Sequence, residues 1–236
     1  MKITVINGNT RHGNTWSCMK LFLKELSNYD ETEIKEYYLP KDMPYFCIGC
    51  YSCFSLGENS CPHHEVVSPI VNSIIEADLI IMTSPVYSLD VSGHLKALLD
   101  HLCFLWISHR PIPAMFHKAS LAIVTTAGVG LGHTVKTMTN SLSFWGVKRI
   151  FTYKAVIPVS SWEQMSEQKR YKMGKKIRKK AGKIARSIKK MDHLHYPMIR
   201  KMLFYMMRNM MKSNTWNPFE RNYWEKQGWL GKKRPF

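Results

Sequence analysis

A chain of 236 residues, 45% of them apolar, suits one domain with a sizeable core plus an extension better than two full domains, and it excludes wholesale disorder. The net charge of +17 is lopsided: residues 1–160 carry 13 Lys and Arg against 12 Asp and Glu, while residues 161–236 carry 21 against 5. A neutral body is therefore followed by a strongly cationic third. The opening MKITVING reads as a buried strand rather than a signal peptide, and no uninterrupted apolar run reaches membrane-spanning length, so the expectation is a cytoplasmic protein.

Lys2–Asn7 is apolar and β-branched, the pattern of a buried strand. A Gly/Asn/Thr loop follows, and Thr15–Leu26 repeats apolar residues as a helix does. Thr32–Leu39 alternates like a strand near a sheet edge. A Gly-, Pro- and Ser-bearing loop then holds a run of cysteines. Val66–Ala77 reads as a helix, Asp78–Thr83 as a central strand, Ser92–Leu105 as a helix, and Ala119–Thr126 as a buried strand. His133–Phe144 fits a helix and Arg149–Val159 a last strand. Strands alternating with helices imply a parallel sheet with right-handed crossovers, and five strands in this span match a flavodoxin-like doubly wound α/β sheet of order 2-1-3-4-5. Glu163–Lys190 is the closing helix, with a narrow apolar stripe from Met173 to Ile188 and Lys and Arg on its solvated face. Beyond Asp192 lies an extension that this architecture does not need. Pro197 opens a helix through Lys212 that Met and Leu residues nearly encircle. The final stretch, with Trp216, Trp224 and Trp229 on a polar background, reads as irregular chain, and the extension is expected to pack on a partner subunit.

Three loops carry chemistry. After the first strand comes Gly8-Asn9-Thr10-Arg11-His12-Gly13-Asn14-Thr15, and a helix starts at once. Backbone N–H groups, hydroxyls, Arg11 and the positive end of a helix suit a dianionic phosphate. The loop lacks the Gly-Lys-Ser/Thr ending of a nucleotide P-loop and the Gly-x-Gly-x-x-Gly of a dinucleotide site; the alternative is an ordinary βα turn. It resembles the phosphate loop of the flavodoxin-like NAD(P)H-dependent FMN reductase family. The segment Thr83-Ser84-Pro85-Val86-Tyr87-Ser88, with Ser92-Gly93-His94-Leu95-Lys96 after it, is similar to that family's Pro-x-Tyr signature, and Thr125-Thr126-Ala127-Gly128 ends the fourth strand where the family approaches the flavin edge. The resemblance covers roughly residues 1–160. It implies FMN as cofactor, held by Thr10, Arg11, Gly13, Asn14, Thr15, Trp16, Pro85, Val86, Tyr87, Ser88, Thr126 and Gly128, with no catalytic acid or base. With the closing helix and the extension read above, the expected division is an FMN-binding domain (1–191) and a basic extension (192–236).

The fourth signal is Cys47-x2-Cys50-x2-Cys53-x7-Cys61, within the loop spanning 44–64. In a reducing compartment such a cluster reads as a metal or redox site rather than a disulfide framework. Three thiols at x2 spacing with a fourth nearby can hold a [4Fe–4S] cluster. The spacing is similar to that of the iron–sulfur flavoproteins of the same fold. A zinc site including His63 or His64, and cysteines that merely line the loop, remain as alternatives. Cys18 and Cys103 are expected to be core residues, and His94, His109 and His133 surface or capping groups.

Three functions follow. The first is an FMN-dependent oxidoreductase taking electrons from NAD(P)H or a reduced carrier to a quinone, flavin or other small acceptor, as a homodimer or higher homo-oligomer. The second is an iron–sulfur flavoprotein electron carrier. The third is a binding protein docking on anionic membrane or nucleic acid through the basic tail, although no nucleic-acid module is recognisable.

Overall fold

The computed structural model describes residues 1–236. Five strands, β1 (Lys2–Asn7), β2 (Glu33–Tyr38), β3 (Leu79–Pro85), β4 (Ala119–Thr126) and β5 (Arg149–Val156), form one parallel sheet in the order β2-β1-β3-β4-β5. The strand order is the expected one. The register pairs Val5 with Glu36 on one side and with Ile81 on the other, and Ile81 in turn with Leu121. β2 is one of the two edge strands, and three of its six residues are exposed, which fits its polar alternation.

The central strands bury both faces because neighbouring side chains point to opposite sides. Ile3, Val5, Leu79, Ile81, Leu121 and Ile123 face α1 (Asn14–Ser27) and α6 (Glu167–Lys189), which also pack on each other. Ile6, Ile80, Met82, Ala122 and Val124 face α3 (His64–Glu76), α4 (Gly93–His101) and α5 (Leu131–Phe144). In α1 the buried positions Cys18, Met19, Phe22, Leu23 and Leu26 lie on one stripe. Between β2 and α3 the cysteine segment forms the short helix α2 (Ser52–Ser55) and a 3-10 turn at Glu58–Ser60.

Two segments depart from the sequence reading. The helix expected over Ser92–Leu105 ends at His101 and tightens into a 3-10 turn, Leu102–Leu105. The last stretch is not irregular: after α7 (Met198–Lys212), α8 spans Pro218–Lys226. Its start is well specified, with Asn217 accepting from the Glu220 amide and Pro218 in the first turn. The extension packs on its own chain. Tyr196, Phe204, Met211, Trp224 and Trp229 close over Ile107 and Phe116 as a separate buried cluster. Trp224 and Trp229, expected in irregular chain packed on a partner subunit, are this cluster's interior, with Trp224 fully buried; Trp216 alone among the three stays exposed.

Candidate functional site

The carboxyl ends of β1, β3 and β4 open into a cleft of about 280 Å³, the position where open α/β sheets bind ligands. Its floor begins at Gly8, whose N–H donates to Thr83 O at 2.8 Å. A Cβ at Gly8 would meet that same carbonyl at 2.7 Å, so only glycine lets the loop leave the strand here. Ser92 fastens the arrangement from beneath: it is buried, its hydroxyl donates to Gly8 O and accepts from the Leu95 amide as the cap of α4, and its own amide donates to Ser84 Oγ.

The phosphate loop turns into α1 at Gly13, which offers no side-chain cap, and the first turn holds no carboxylate. The first helical amide bond is Ser17 N to Gly13 O, and the amides of Asn14, Thr15 and Trp16 have no acceptor in the chain. The side chains are locked: Thr15 and Thr125 hydroxyls meet at 2.6 Å, Asn14 Nδ2 donates to Val159 O at 2.8 Å, and Arg11 reaches Ser160 O at 3.2 Å. Two buried polar atoms in the lining lack partners, Asn7 Nδ2 and Asn14 Oδ1. No acidic residue lines the cleft. Unpaired donors converging on a helix N-terminus beside an arginine fit a dianionic phosphate.

On the opposite wall, Pro85, Val86 and Tyr87 follow β3. Tyr87 is held by Asn9 through its hydroxyl, and its ring is 50% exposed to the cleft mouth. Trp16 also lines the cleft, stacked on His12 with ring centres 4.5 Å apart and donating to Tyr38 Oη at 3.2 Å. Of the residues expected from sequence, Arg11, Gly13, Asn14, Thr15, Trp16, Pro85, Val86, Tyr87 and Thr126 come together here; Thr10, Ser88 and Gly128 lie outside the lining. Ser88 occupies the turn behind Tyr87, and the Gly128 amide is taken by Thr126 Oγ1 at 3.2 Å. The sequence reading missed Asn7, Asn9, Thr83, Thr125, Ala127, Ile157, Val159 and Ser160. The last three follow the fifth strand, where no motif marks them; position just past a strand end was the one available signal.

A second cavity, of about 370 Å³, is lined by all four clustered cysteines, Cys47, Cys50, Cys53 and Cys61. All four are free thiols. Burial pushes the Cys53 thiol up to about 11, reinforced by the neighbouring thiolates of Cys61, Cys47 and Cys50. Cys50 is exposed and its pKa is lowered, chiefly by the Ser52 hydroxyl. The loop is clamped from the protein side by Arg110, buried between the rings of Phe104 and Phe219, which donates to Cys53 O at 2.6 Å and pairs with Glu58 at 3.0 Å. The extension adds Asn217 Nδ2 to Phe54 O at 3.2 Å.

Three of the sequence expectations change here. Cys103 is not an inert core residue; it lines this cavity with His63 and His101. His109 is not a surface group: it bonds the buried Glu220 at 2.9 Å and its carbonyl accepts from Trp224 Nε1 at 2.6 Å. The histidine pair of interest is His63 with His101 rather than His64. Ligand atoms of Cys61, His63 and His101 lie within 4.8 Å of one another, the separation suited to one metal ion. Of the clustered cysteines only Cys61 belongs to that trio, whereas the larger cavity is lined by four free thiols, the donor set that a [4Fe–4S] cluster takes.

Known proteins resemble this chain as follows. Residues 1–161 match the family model for NADPH-dependent FMN reductase. An iron-sulfur flavoprotein of Archaeoglobus fulgidus is 32% identical over 149 residues, 62% of this chain and 64% of that protein. One of Clostridioides difficile is 28% identical over 128 residues, 53% of this chain and 54% of that protein. The matches thus span between half and two thirds of the length of these relatives. Among solved structures, an FMN-dependent NADH-azoreductase from Bacillus anthracis in complex with FMN superposes with a TM-score of 0.59 at 13% identity, covering 78% of this chain and all of that one. An NADH:FMN oxidoreductase in its apo form gives 0.56 at 17%, covering 78% of this chain and 89% of that one. At such identity these two speak for the fold alone. The family model takes in both the phosphate loop and the Tyr87 loop, and on that extent of match the chain belongs to the NADPH-dependent FMN reductase family.

Proposed function

We propose that the protein is an FMN-dependent oxidoreductase that takes electrons from NAD(P)H or a reduced carrier and passes them to a quinone, flavin or other small acceptor. The observation that carries this is the set of unpaired amides at Asn14, Thr15 and Trp16 beside Arg11, with the orphaned Asn7 amide deeper in the cleft. FMN, when bound, supplies hydride and single-electron chemistry that needs no protein nucleophile. The chain's residues bind and orient. The Asn14–Trp16 amides and Thr15 receive the phosphate, Arg11 balances its charge, and Tyr87 and Trp16 provide aromatic walls for a flat ring. Thr125, Thr126 and Ala127 bound the ring's far edge.

The cysteine cavity supports a second element of the reading, a [4Fe–4S] cluster on Cys47, Cys50, Cys53 and Cys61. Four free thiols around one cavity favour it, and the curated relatives carry the name iron-sulfur flavoprotein. Such a cluster would make a protein electron carrier a fitting donor or acceptor. The experiment is anaerobic purification followed by an absorption spectrum and flavin, iron, sulfide and zinc analysis. Flavin bands together with a broad absorbance that dithionite bleaches, and iron and sulfide in equal amounts, are expected. Zinc in their place reassigns the cysteines to the Cys61–His63–His101 set. A colourless protein with no affinity in an FMN titration overturns the flavin assignment.

A further inference from the structure

The helix α7 has two apolar faces, and only one is covered. Phe204 and Met211 are buried in the cluster over Ile107 and Phe116, with Leu203 and Met207 partly so. The other face, at i, i+3 and i+4 spacing, presents Ile199 (81% exposed), Met202 (65%), Met206 (53%) and Met210 (59%) with Met198 beside them. A ridge of this kind on a rigidly anchored helix is not a stray surface residue. α7 carries Arg200, Lys201, Arg208 and Lys212 and no carboxylate. Arg200 and Arg208 are occupied with main-chain carbonyls of the body and of the last turn. Lys212 is exposed, and Arg234 stacks on Tyr205 of the same ridge with its guanidinium 5.3 Å from the ring centre. Lys232 and Lys233, which precede Arg234 in the chain, are exposed.

We propose that this face of α7 docks on an anionic lipid surface, with Ile199, Met202, Met206 and Met210 entering the headgroup boundary and Lys212, Arg234 and their neighbours taking the phosphates. An interfacial helix needs this combination, an apolar ridge flanked by cations and no acid. The charge decides between occupants. A symmetric second copy would set these cations against the same cations, with no carboxylate on α7 to answer them. A nucleic-acid backbone would engage the cations and leave the apolar ridge unused. No helix of the chain is long and apolar enough to cross a membrane, so the contact is peripheral. This inference is independent of the cofactor assignment.

The test is co-sedimentation of the full-length purified protein with phosphatidylcholine vesicles containing about a third phosphatidylglycerol. Binding is expected at low salt, at least about tenfold weaker on pure phosphatidylcholine or at high salt. Met202→Glu with Met206→Glu should weaken partitioning about tenfold or more, while thermal unfolding stays unchanged, because both side chains are exposed. Lys212→Glu should weaken binding to the anionic vesicles only. Absence of vesicle binding overturns the proposal, as does binding that the paired glutamates leave unaltered. So does a paired variant that merely changes the oligomeric state, or wild-type protein that retains duplex DNA and ignores vesicles.

Discussion

At Gly8 and at Cys50 single atoms decide behaviour. A methyl group at Gly8 would stand 2.7 Å from Thr83 O, and that carbonyl belongs to a central strand that cannot yield. Gly8→Ala is expected to cost about 1–3 kcal/mol and to weaken flavin binding, read by a denaturant midpoint and an FMN titration. For the cysteines the order of reactivity follows from surroundings. The Ser52 hydroxyl, and then its amide, hold the Cys50 thiol below its ordinary pKa, while burial raises Cys18 to about 12 and Cys53 to about 11. A lowered pKa means more thiolate at neutral pH. In metal-free protein Cys50 should therefore be alkylated by iodoacetamide well before Cys18 or Cys53. Ser52→Ala should move the midpoint of the Cys50 rate–pH profile upward, slowing the reaction at neutral pH but not at strongly alkaline pH. Most of the lining residues of the phosphate loop, Arg11, Gly13, Asn14 and Thr15, were legible because one short segment carries them, although that reading took in Thr10 and passed over Asn9. Arg110 was not: its clamp on Cys53 joins residues 57 positions apart, and nothing local marks a buried guanidinium.

Elements show the same division. The strands were readable as apolar runs, since both faces of a parallel sheet are buried. α8 was not, because its outward positions are polar and only Asn217-Pro218 announced it. Behind Tyr87, a tight turn closes with Tyr87 N to Asp90 O at 2.9 Å and Asp90 N to Tyr87 O at 3.0 Å. It forces Ser88 and Leu89 to φ of 48° and 68°, where side chains are disfavoured. Leu89 is mostly exposed. Leu89→Gly should thus raise stability by about 0.5–1 kcal/mol, seen as a shift in the denaturant midpoint. Trp224 is the reverse case, fully buried and hydrogen-bonded to His109 O. Trp224→Ala should cost about 3–5 kcal/mol in the unit formed by α7 and α8. It should speed alkylation of Cys53 and leave FMN affinity unchanged, because the two cavities share no lining residue.

Over the whole molecule, the cationic third of the sequence divides: α6 packs on the sheet beside α1, and the extension closes over another part of the body. The extension is not an appendage, since Ile107 and Phe116 of the body are part of its core. Cutting the chain after residue 191 should leave the flavin cleft able to bind FMN, while uncovering Ile107 and Phe116 and loosening the cysteine loop. Increased binding of a hydrophobic dye alongside an unaltered FMN titration is the expected result.

Phe54 accepts a hydrogen bond from Asn217, 163 residues later in the chain. A ribosome working from the amino end must therefore release the four thiols long before it makes their last support. Through most of synthesis the thiol-bearing loop must do without that bond, with Arg110 as its earlier clamp.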